Sequence, residues 1–339
     1  MNNILFLINK KQLTNNFNSY NDFHKIYYTL KTNSNNNIIK LLNDISNDKI
    51  YFSISNLKHF KILKNNNVTA ERINVINPFL PIKDINNLYN NGVRSFTFTS
   101  INDILIFEKF ANTFDVNINI RLNINNFIID KSYIGVSLKE YEQIFNHIKG
   151  KYKNIGISVY LPQTIKYHNI KLKYILNKIL KLPKDYIIFG GIPNANELKW
   201  ITDYKNINLE IGQNLLKNVI DLKTNIIKHY KNKIILSNGI YGGLLDVILY
   251  NKKFKIYLLY NSKKIYLKNK IKSKSNKINI YGPTADSLDI IGEYYLEKKY
   301  INILNNSKYL YIKDVGPYFE EFFMKYNNSF NTKYKILGG

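Results

Sequence analysis

Short apolar runs recur along the first two thirds of the chain. Each is bounded by polar turns and followed by a segment whose apolar positions return every three or four residues. Eight runs read as strands: IYYTL (26–30), IYFSI (50–54), INVIN (73–77), RSFTF (94–98), VNINIRL (116–122), IGISVY (155–160), YIIFG (186–190) and NLEIG (208–212). Segments between them, such as DINNLYNNG and KEYEQIFNHIKG, have helical spacing and stop on Asn or Gly. After YYTLKTNSNNN, for example, Ile38, Ile39, Leu41, Leu42 and Ile45 fall on one helical face. This alternation predicts a small (β/α)8 barrel over residues 22–228. The linker at 191–207 leaves room for only a short helix.

Beyond about residue 230 the texture changes. KIIL, LDVILY, FKIYLLY, KIYLK, INIYG and YLYI read as strands with few helices between them. They predict a C-terminal β-rich domain over 229–339, completed by residues 1–21. KIKSKSNK (270–277) reads as a solvated lysine-rich loop.

In such barrels the chemistry sits at the C-terminal ends of the strands. In the fifth strand Val116, Ile118, Ile120, Leu122 and Ile124 alternate with Asn117, Asn119, Arg121 and Asn123. Arg121 is therefore on the polar face, late in the strand and directed at the mouth. Lys31 follows the first strand and Tyr160 ends the sixth. Gly190 and Gly191 close the seventh, and Glu210 lies in the eighth, just ahead of Gly212. A mouth lysine, glycines that expose backbone N–H groups to a phosphate, and a glutamate suggest pyridoxal phosphate, with the lysine as Schiff-base partner.

Composition narrows the classes. The 339 residues are 45% hydrophobic and 14% aromatic, as a globular protein requires. There is no cysteine, hence no disulfide or thiolate chemistry, and the five histidines show no metal-ligand spacing. The apolar stretch ILFLI is too short for a signal sequence or a membrane span. A cytoplasmic protein without a membrane partner is the expectation. The net charge of +25 points towards nucleic acid, but only three of the 49 basic residues are arginines and the lysines are scattered. The joint enrichment in Asn, Ile, Lys and Tyr reads as compositional, so no specific nucleic-acid partner is expected.

Several stretches resemble the ornithine decarboxylase family of pyridoxal-phosphate enzymes, which has the alanine-racemase-like barrel. YYTLKTNSNNNIIKLL (27–42) resembles the family's Schiff-base segment, and ERINVINPFLPIKDINNLYNNGVRSFTFTS (71–100) its E-R-I-x-x-x-N-P…G-V…F-D-S run. LSNGIYGGLLDVILYN (236–251) is similar to D-G-x-Y-G-S-F-N, and GPTADSLD (282–289) to G-P-T-C-D-x-L-D. KDVGPYF (313–319) and SFN (329–331) resemble the closing elements. The resemblance implies that Lys31 forms the Schiff base and that Glu210 pairs with the pyridine nitrogen. It also implies that Gly190, Gly191, Gly212 and Tyr318 hold the phosphate, that Arg121 and Tyr160 complete the cofactor site, and that Asn238 and Asp286 meet the substrate. Active sites of the family are shared across a homodimer, in which Asp286 would act on the partner's substrate.

The departures fall on these same positions. Gln213 stands for the family's arginine in E-P-G-R, Phe189 for a glycine, Tyr160 for the stacking histidine, and Ser53 and His59 for an aspartate and a glutamate. Asn238 replaces the aspartate of D-G-x-Y-G, and Ala285 replaces the cysteine before Asp286. Each lost charge or thiol weakens binding or protonation, so turnover of ornithine, or of another basic amino acid in polyamine synthesis, is expected to be weak or lost. Two other readings stand beside the decarboxylase: a catalytically silent homologue acting on a regulatory protein partner, and a structural protein that kept the barrel.

Overall fold

The eight short runs of the first two thirds close on themselves, because each has one row of side chains facing its helix and one facing a common lumen. In the computed structural model, which describes all residues except 1–2, 47–48, 125–133, 162–169, 192–205, 271–273, 320, 322–330 and 339, β1 (Asn3–Asn9) leads into α1 (Lys10–Asn18). The barrel follows in chain order: β2 (Lys25–Thr29), β3 (Ile50–Ile54), β4 (Ile73–Val75), β5 (Ser95–Phe98), β6 (Asn117–Leu122), β7 (Asn154–Tyr160), β8 (Tyr186–Gly190) and β9 (Ile207–Ile211). All eight are parallel, and β9 closes on β2 with Glu210 opposite Tyr27. The described crossover helices are α2 (Asn36–Ile45), α3 (Leu57–Asn65), α4 (Ile82–Asn90), α5 (Ile101–Phe107), α6 (Leu138–Ile148) and α7 (Ile170–Lys181). The short helix expected before the last barrel strand falls mainly on 192–205, outside the described residues.

Local chemistry marks where strands hand over to helices. Asn35 accepts from the Asn37 N–H at 2.8 Å, Asn56 from His59 at 2.9 Å and Ser100 from Asp103 at 3.2 Å. Ser137 and Glu140 form a reciprocal capping box at the start of α6. Ile38, Ile39, Leu41 and Leu42 of α2 are all buried, as their spacing requires. The lumen is unusually polar for a (β/α)8 barrel. Asn119 Nδ2 donates to Asn74 Oδ1 at 3.1 Å and to Ser95 Oγ at 3.2 Å, and Ser95 Oγ donates to Asn74 Oδ1 at 2.9 Å.

The second unit is a sheet of β10 (Ile220–Tyr230), β11 (Lys233–Leu236), β12 (Lys255–Tyr260), β13 (Lys263–Leu267), β14 (Ser275–Tyr281), β15 (Ile290–Glu297) and β16 (Tyr309–Lys313). The strand order is β13-β12-β16-β10-β11-β14-β15; β1 pairs with β10, and β17 (Asn331–Leu337) pairs with β1. Two short helices, α8 (Asp246–Tyr250) and α9 (Ile301–Asn305), belong to the same unit. The compact units are Phe17–Asn214, and Met1–Asn16 with Leu215–Gly339.

Three sequence readings are corrected here. The barrel unit ends at Asn214 rather than 228, because β10 bonds to β1, β11 and β16 of the sheet. LDVILY is not a strand: Asp246–Tyr250 form α8, stopped by Asn251 at φ 49°. A continuous apolar run cannot by itself tell strand from helix, and the end of this one is exposed at Ile248, Leu249 and Tyr250. The lysine loop at 270–277 is partly strand, since β14 starts at Ser275.

Candidate cofactor site

The C-terminal ends of β2, β6, β7 and β9 surround a cavity of about 330 Å3 whose lining includes Lys31, Arg121, Tyr160 and Glu210. Four side chains separated by up to 179 residues in sequence thus share one chamber in the barrel unit. Lys31 lies two residues beyond β2 and is exposed, while the next two residues, Thr32 and Asn33, are buried. Among the described residues no carboxylate lies within ion-pair distance of its amine. Pro78 and Phe79, in the loop after β4, form part of the cavity wall.

Glu210 is held from β3. Ser53 Oγ donates to Glu210 Oε2 at 3.1 Å, leaving Oε1 beside Gly190, where an added Cβ would stand 3.5 Å from it. Ser53 was marked in the sequence only as the loss of an aspartate. Its lumen-facing place was nevertheless legible, since Tyr51 and Ser53 alternate with Phe52 and Ile54. Tyr27, opposite Glu210, has its phenol pushed well up, first by burial and then by Tyr186, Tyr51 and Glu210. Arg121 places its guanidinium 5.6 Å from the centre of the Tyr160 ring, a cation–π arrangement.

The glycines at strand ends have physical reasons to be glycine. Gly191 has φ +79°, and a side chain there would overlap the Leu161 carbonyl oxygen. A Cβ at Gly212 would overlap the Thr32 hydroxyl. Both positions border the chamber's strand ends, at the places expected for a phosphate.

The sheet unit carries the remaining expected residues. Asn238 is fully buried: its Oδ1 accepts from the Gly239 N–H at 3.0 Å, and its Nδ2 has no partner among the described residues. Asp286 is half-buried, with Oδ1 accepting from the Leu288 N–H at 2.7 Å. Tyr318 is half-buried, whereas most of the closing SFN element lies outside the described residues. Asp289, which drew no attention in the sequence, ties the two loops together. Its carboxylate accepts from Ile240 N at 2.8 Å, Thr284 N at 3.0 Å and Thr284 Oγ1 at 2.8 Å. Gly239 and Gly282 flank it so tightly that a Cβ on either would overlap Asp289 Oδ1.

An exposed amine at a strand end and a carboxylate steadied by a hydroxyl share a walled chamber at the mouth of a parallel barrel, the candidate cofactor site. The chain belongs to the pyridoxal-dependent decarboxylases: the model of their pyridoxal-binding domain matches residues 8–149, and that of their C-terminal sheet domain matches residues 211–316. The cofactor that goes with this family is pyridoxal 5′-phosphate. Solved structures share the fold at low identity. A lysine/ornithine decarboxylase from Vibrio vulnificus complexed with putrescine is 17% identical, with TM-score 0.75 over 98% of this chain and 94% of the other. The Paramecium bursaria Chlorella virus arginine decarboxylase is 17% identical, with TM-score 0.75 over 98% and 96%. A lysine decarboxylase from Selenomonas ruminantium is 14% identical, with TM-score 0.76 over 98% and 92%. No curated protein sequence matches this one significantly. Among the described residues no helix is long and apolar enough to cross a membrane, and no cluster of side chains could hold a metal.

The residues present fit the cofactor at two of its ends. Lys31 supplies an amine with no competing carboxylate among the described residues, and Glu210 supplies an acceptor whose second oxygen is already bonded. The chamber volume lies at the lower end of the range for small-molecule sites.

Proposed function

We propose that the chain is a divergent decarboxylase of ornithine or another basic amino acid, with slow turnover, working in polyamine synthesis as a cytoplasmic homodimer. The observation that carries this reading is that Lys31 and Glu210, 179 residues apart, line one chamber while Ser53 holds the glutamate. Lys31 would bind the cofactor's aldehyde carbon, and Glu210 would keep a proton on the ring nitrogen. When bound, pyridoxal phosphate supplies an electron sink for the pair left behind as carbon dioxide departs. Tyr160 and Arg121 would cover the ring, and the N–H groups at Gly190, Gly191 and Gly212 would receive the phosphate. Asp286 would take the substrate's distal ammonium across the dimer. The structural relatives that act on lysine, ornithine and arginine support a basic substrate.

A second reading, a silent homologue that acts by binding a regulatory partner, is favoured by Asn238. The aspartate it replaces would face a substrate ammonium, whereas Asn238 is fully buried with its oxygen spent on the Gly239 N–H. Gln213 and Ala285 point the same way.

The test is the visible spectrum of the purified protein with pyridoxal phosphate, for wild type and Lys31→Ala, followed by carbon dioxide release from ornithine, lysine and arginine. A visible band lost in Lys31→Ala, with slow release from one substrate, is the expected result. A Lys31-dependent band without release from any of them supports the silent reading. No band at saturating cofactor overturns the decarboxylase reading and leaves the silent homologue, with Lys31 a relic.

A further inference from the structure

One face of the sheet unit carries a row of aromatic and cationic side chains across adjacent strands. Tyr266 of β13 stands opposite Tyr257 of β12, which stands opposite Tyr311 of β16, and that residue stands opposite Lys223 of β10. The row continues to Leu5 of β1 and Lys333 of β17. Residues directly opposite in a sheet point to the same side. The neighbouring rows on that side place Lys255 opposite Lys313 and Leu259 opposite Lys264, with Lys335 opposite Leu7 further along. The reverse side is the core of the unit: Ile256, Leu258, Leu310, Ile312, Leu222 and Phe6 are all buried.

The rings form a ladder. The Tyr257 and Tyr311 centroids are 5.0 Å apart with planes 14° from parallel, and Tyr257 and Tyr266 are 5.4 Å apart. Lys223 Nζ lies 3.7 Å from the centre of Tyr309, and Lys264 Nζ lies 5.1 Å from that of Tyr257. Cavities of about 520 and 540 Å3 open along this ladder. One includes Lys308, Tyr309 and Tyr311, and the other Lys252, Lys255, Tyr266 and Lys313. The acidic groups here are few and engaged. Asp221 is 3.9 Å from Lys313, Asp246 is 3.3 Å from Lys252, and Asp314 bonds the Asn218 N–H at 3.0 Å.

We infer that this face binds single-stranded nucleic acid without sequence preference, Tyr266, Tyr309 and Tyr311 stacking on bases and the surrounding lysines meeting phosphates. Tyr257 is itself buried at the centre of the ladder, so the rings open to a ligand are the exposed Tyr266 and Tyr309 and the half-buried Tyr311. Charge complementarity selects a polyanion, and these open rings among the lysines favour one with flat aromatic groups over a purely sulfated or phosphorylated polymer. The scarcity of arginine fits the absence of base-specific readout. A lysine resting on a ring is the partner a base can most readily displace, because the released ammonium remains exposed and moves to the adjacent phosphate. This surface lies wholly within the sheet unit and is independent of the cofactor reading.

The experiment measures fluorescence anisotropy of labelled single-stranded oligonucleotides with the intact protein over a salt series. Duplex of equal length, heparin and anionic phosphatidylserine vesicles serve as comparison probes. Single strands should bind most tightly. Tyr266→Ala with Tyr309→Ala, both exposed positions, should weaken single strands about tenfold while leaving heparin unchanged. Lys255→Glu with Lys313→Glu should weaken all polyanions and flatten the log–log salt slope by about 0.7 for each phosphate that is no longer neutralised. The control Lys58→Glu with Lys61→Glu, on exposed positions of α3, should change little. The proposal is overturned if the control pair weakens binding as much as the face variants. It is equally overturned if heparin or vesicles bind as tightly as single strands and the tyrosine variant binds like wild type.

Discussion

Gly212 at the end of β9 and Thr32 beside the end of β2 are packed so closely that a methyl group on the glycine would overlap the threonine hydroxyl. Thr32 is only 1% exposed and directly follows Lys31. Gly212→Ala is therefore expected to push the Thr32 strand end, and Lys31 with it, out of place. Overpacking of this kind costs about 1–3 kcal/mol. Thermal unfolding should show the loss, and titration with pyridoxal phosphate should show weaker binding than wild type. A variant with unchanged stability and cofactor affinity would mean that the strand end yields without resistance.

Asp289 is 1% exposed and satisfies two backbone N–H groups and one hydroxyl. Asp289→Ala leaves those donors buried and unpaired, at about 1–3 kcal/mol for each. Asp289→Asn fares little better if its amide nitrogen turns towards an N–H. Both variants are expected to lower the free energy of unfolding measured in urea, Ala by at least about 3 kcal/mol in total. A shift below about 1 kcal/mol would show that the loops carrying Asn238 and Asp286 do not depend on this carboxylate.

The capping box of α6 gives a pH-dependent prediction. Glu140 is held below the ordinary glutamate value, chiefly by the Ser137 backbone N–H it accepts and then by the Ser137 side chain. A depressed carboxylate contributes stability that is present above its unfolded value and is lost as pH falls through its folded value. The group is exposed, so solvent screens much of the effect. At neutral pH Ser137→Ala should cost about 1 kcal/mol and Glu140→Gln a few tenths. The difference between wild type and Glu140→Gln should vanish in acid, as followed by far-UV circular dichroism on denaturant titration.

Tyr20 is buried, and burial raises its phenol from 10.0 to about 12. For a group whose folded value is raised, the stability is present below the unfolded value and lost as pH rises towards the folded one. About 2–3 kcal/mol should therefore disappear between pH 10 and 12. Tyr20→Phe should remove part of that alkaline slope, measured by urea unfolding at stepped pH. An unchanged slope would assign the alkaline loss to the other buried tyrosines.

The barrel strands were legible because period-two alternation and polar turns are local properties. All eight runs lie within a residue or two of β2 to β9. Arg121 could be placed at the mouth by the same alternation, and Lys31 by its position after a strand. The sheet unit was less legible. Apart from Asp246, LDVILY is apolar, and its unbroken VILY run shows neither period that would distinguish a strand from the exposed helix α8. The barrel's end is displaced in the sequence reading because Ile220–Tyr230 is not recognised there as a strand, and its antiparallel neighbours assign it to the sheet.

Local sequence thus determined the eight barrel strands, the helical spacing between them and the strand ends that carry Lys31, Arg121, Tyr160 and Glu210. Contacts between distant residues were decided only by the closed barrel and the folded sheet. Ser53 meets Glu210 across 157 positions, Thr32 leaves no room for a side chain at Gly212, and Asp289 gathers the loops of Gly239 and Gly282. The physical reason is that periodicity fixes which face a side chain takes, whereas its partner depends on strand order and register. Those are set by long-range packing that no short window of sequence contains.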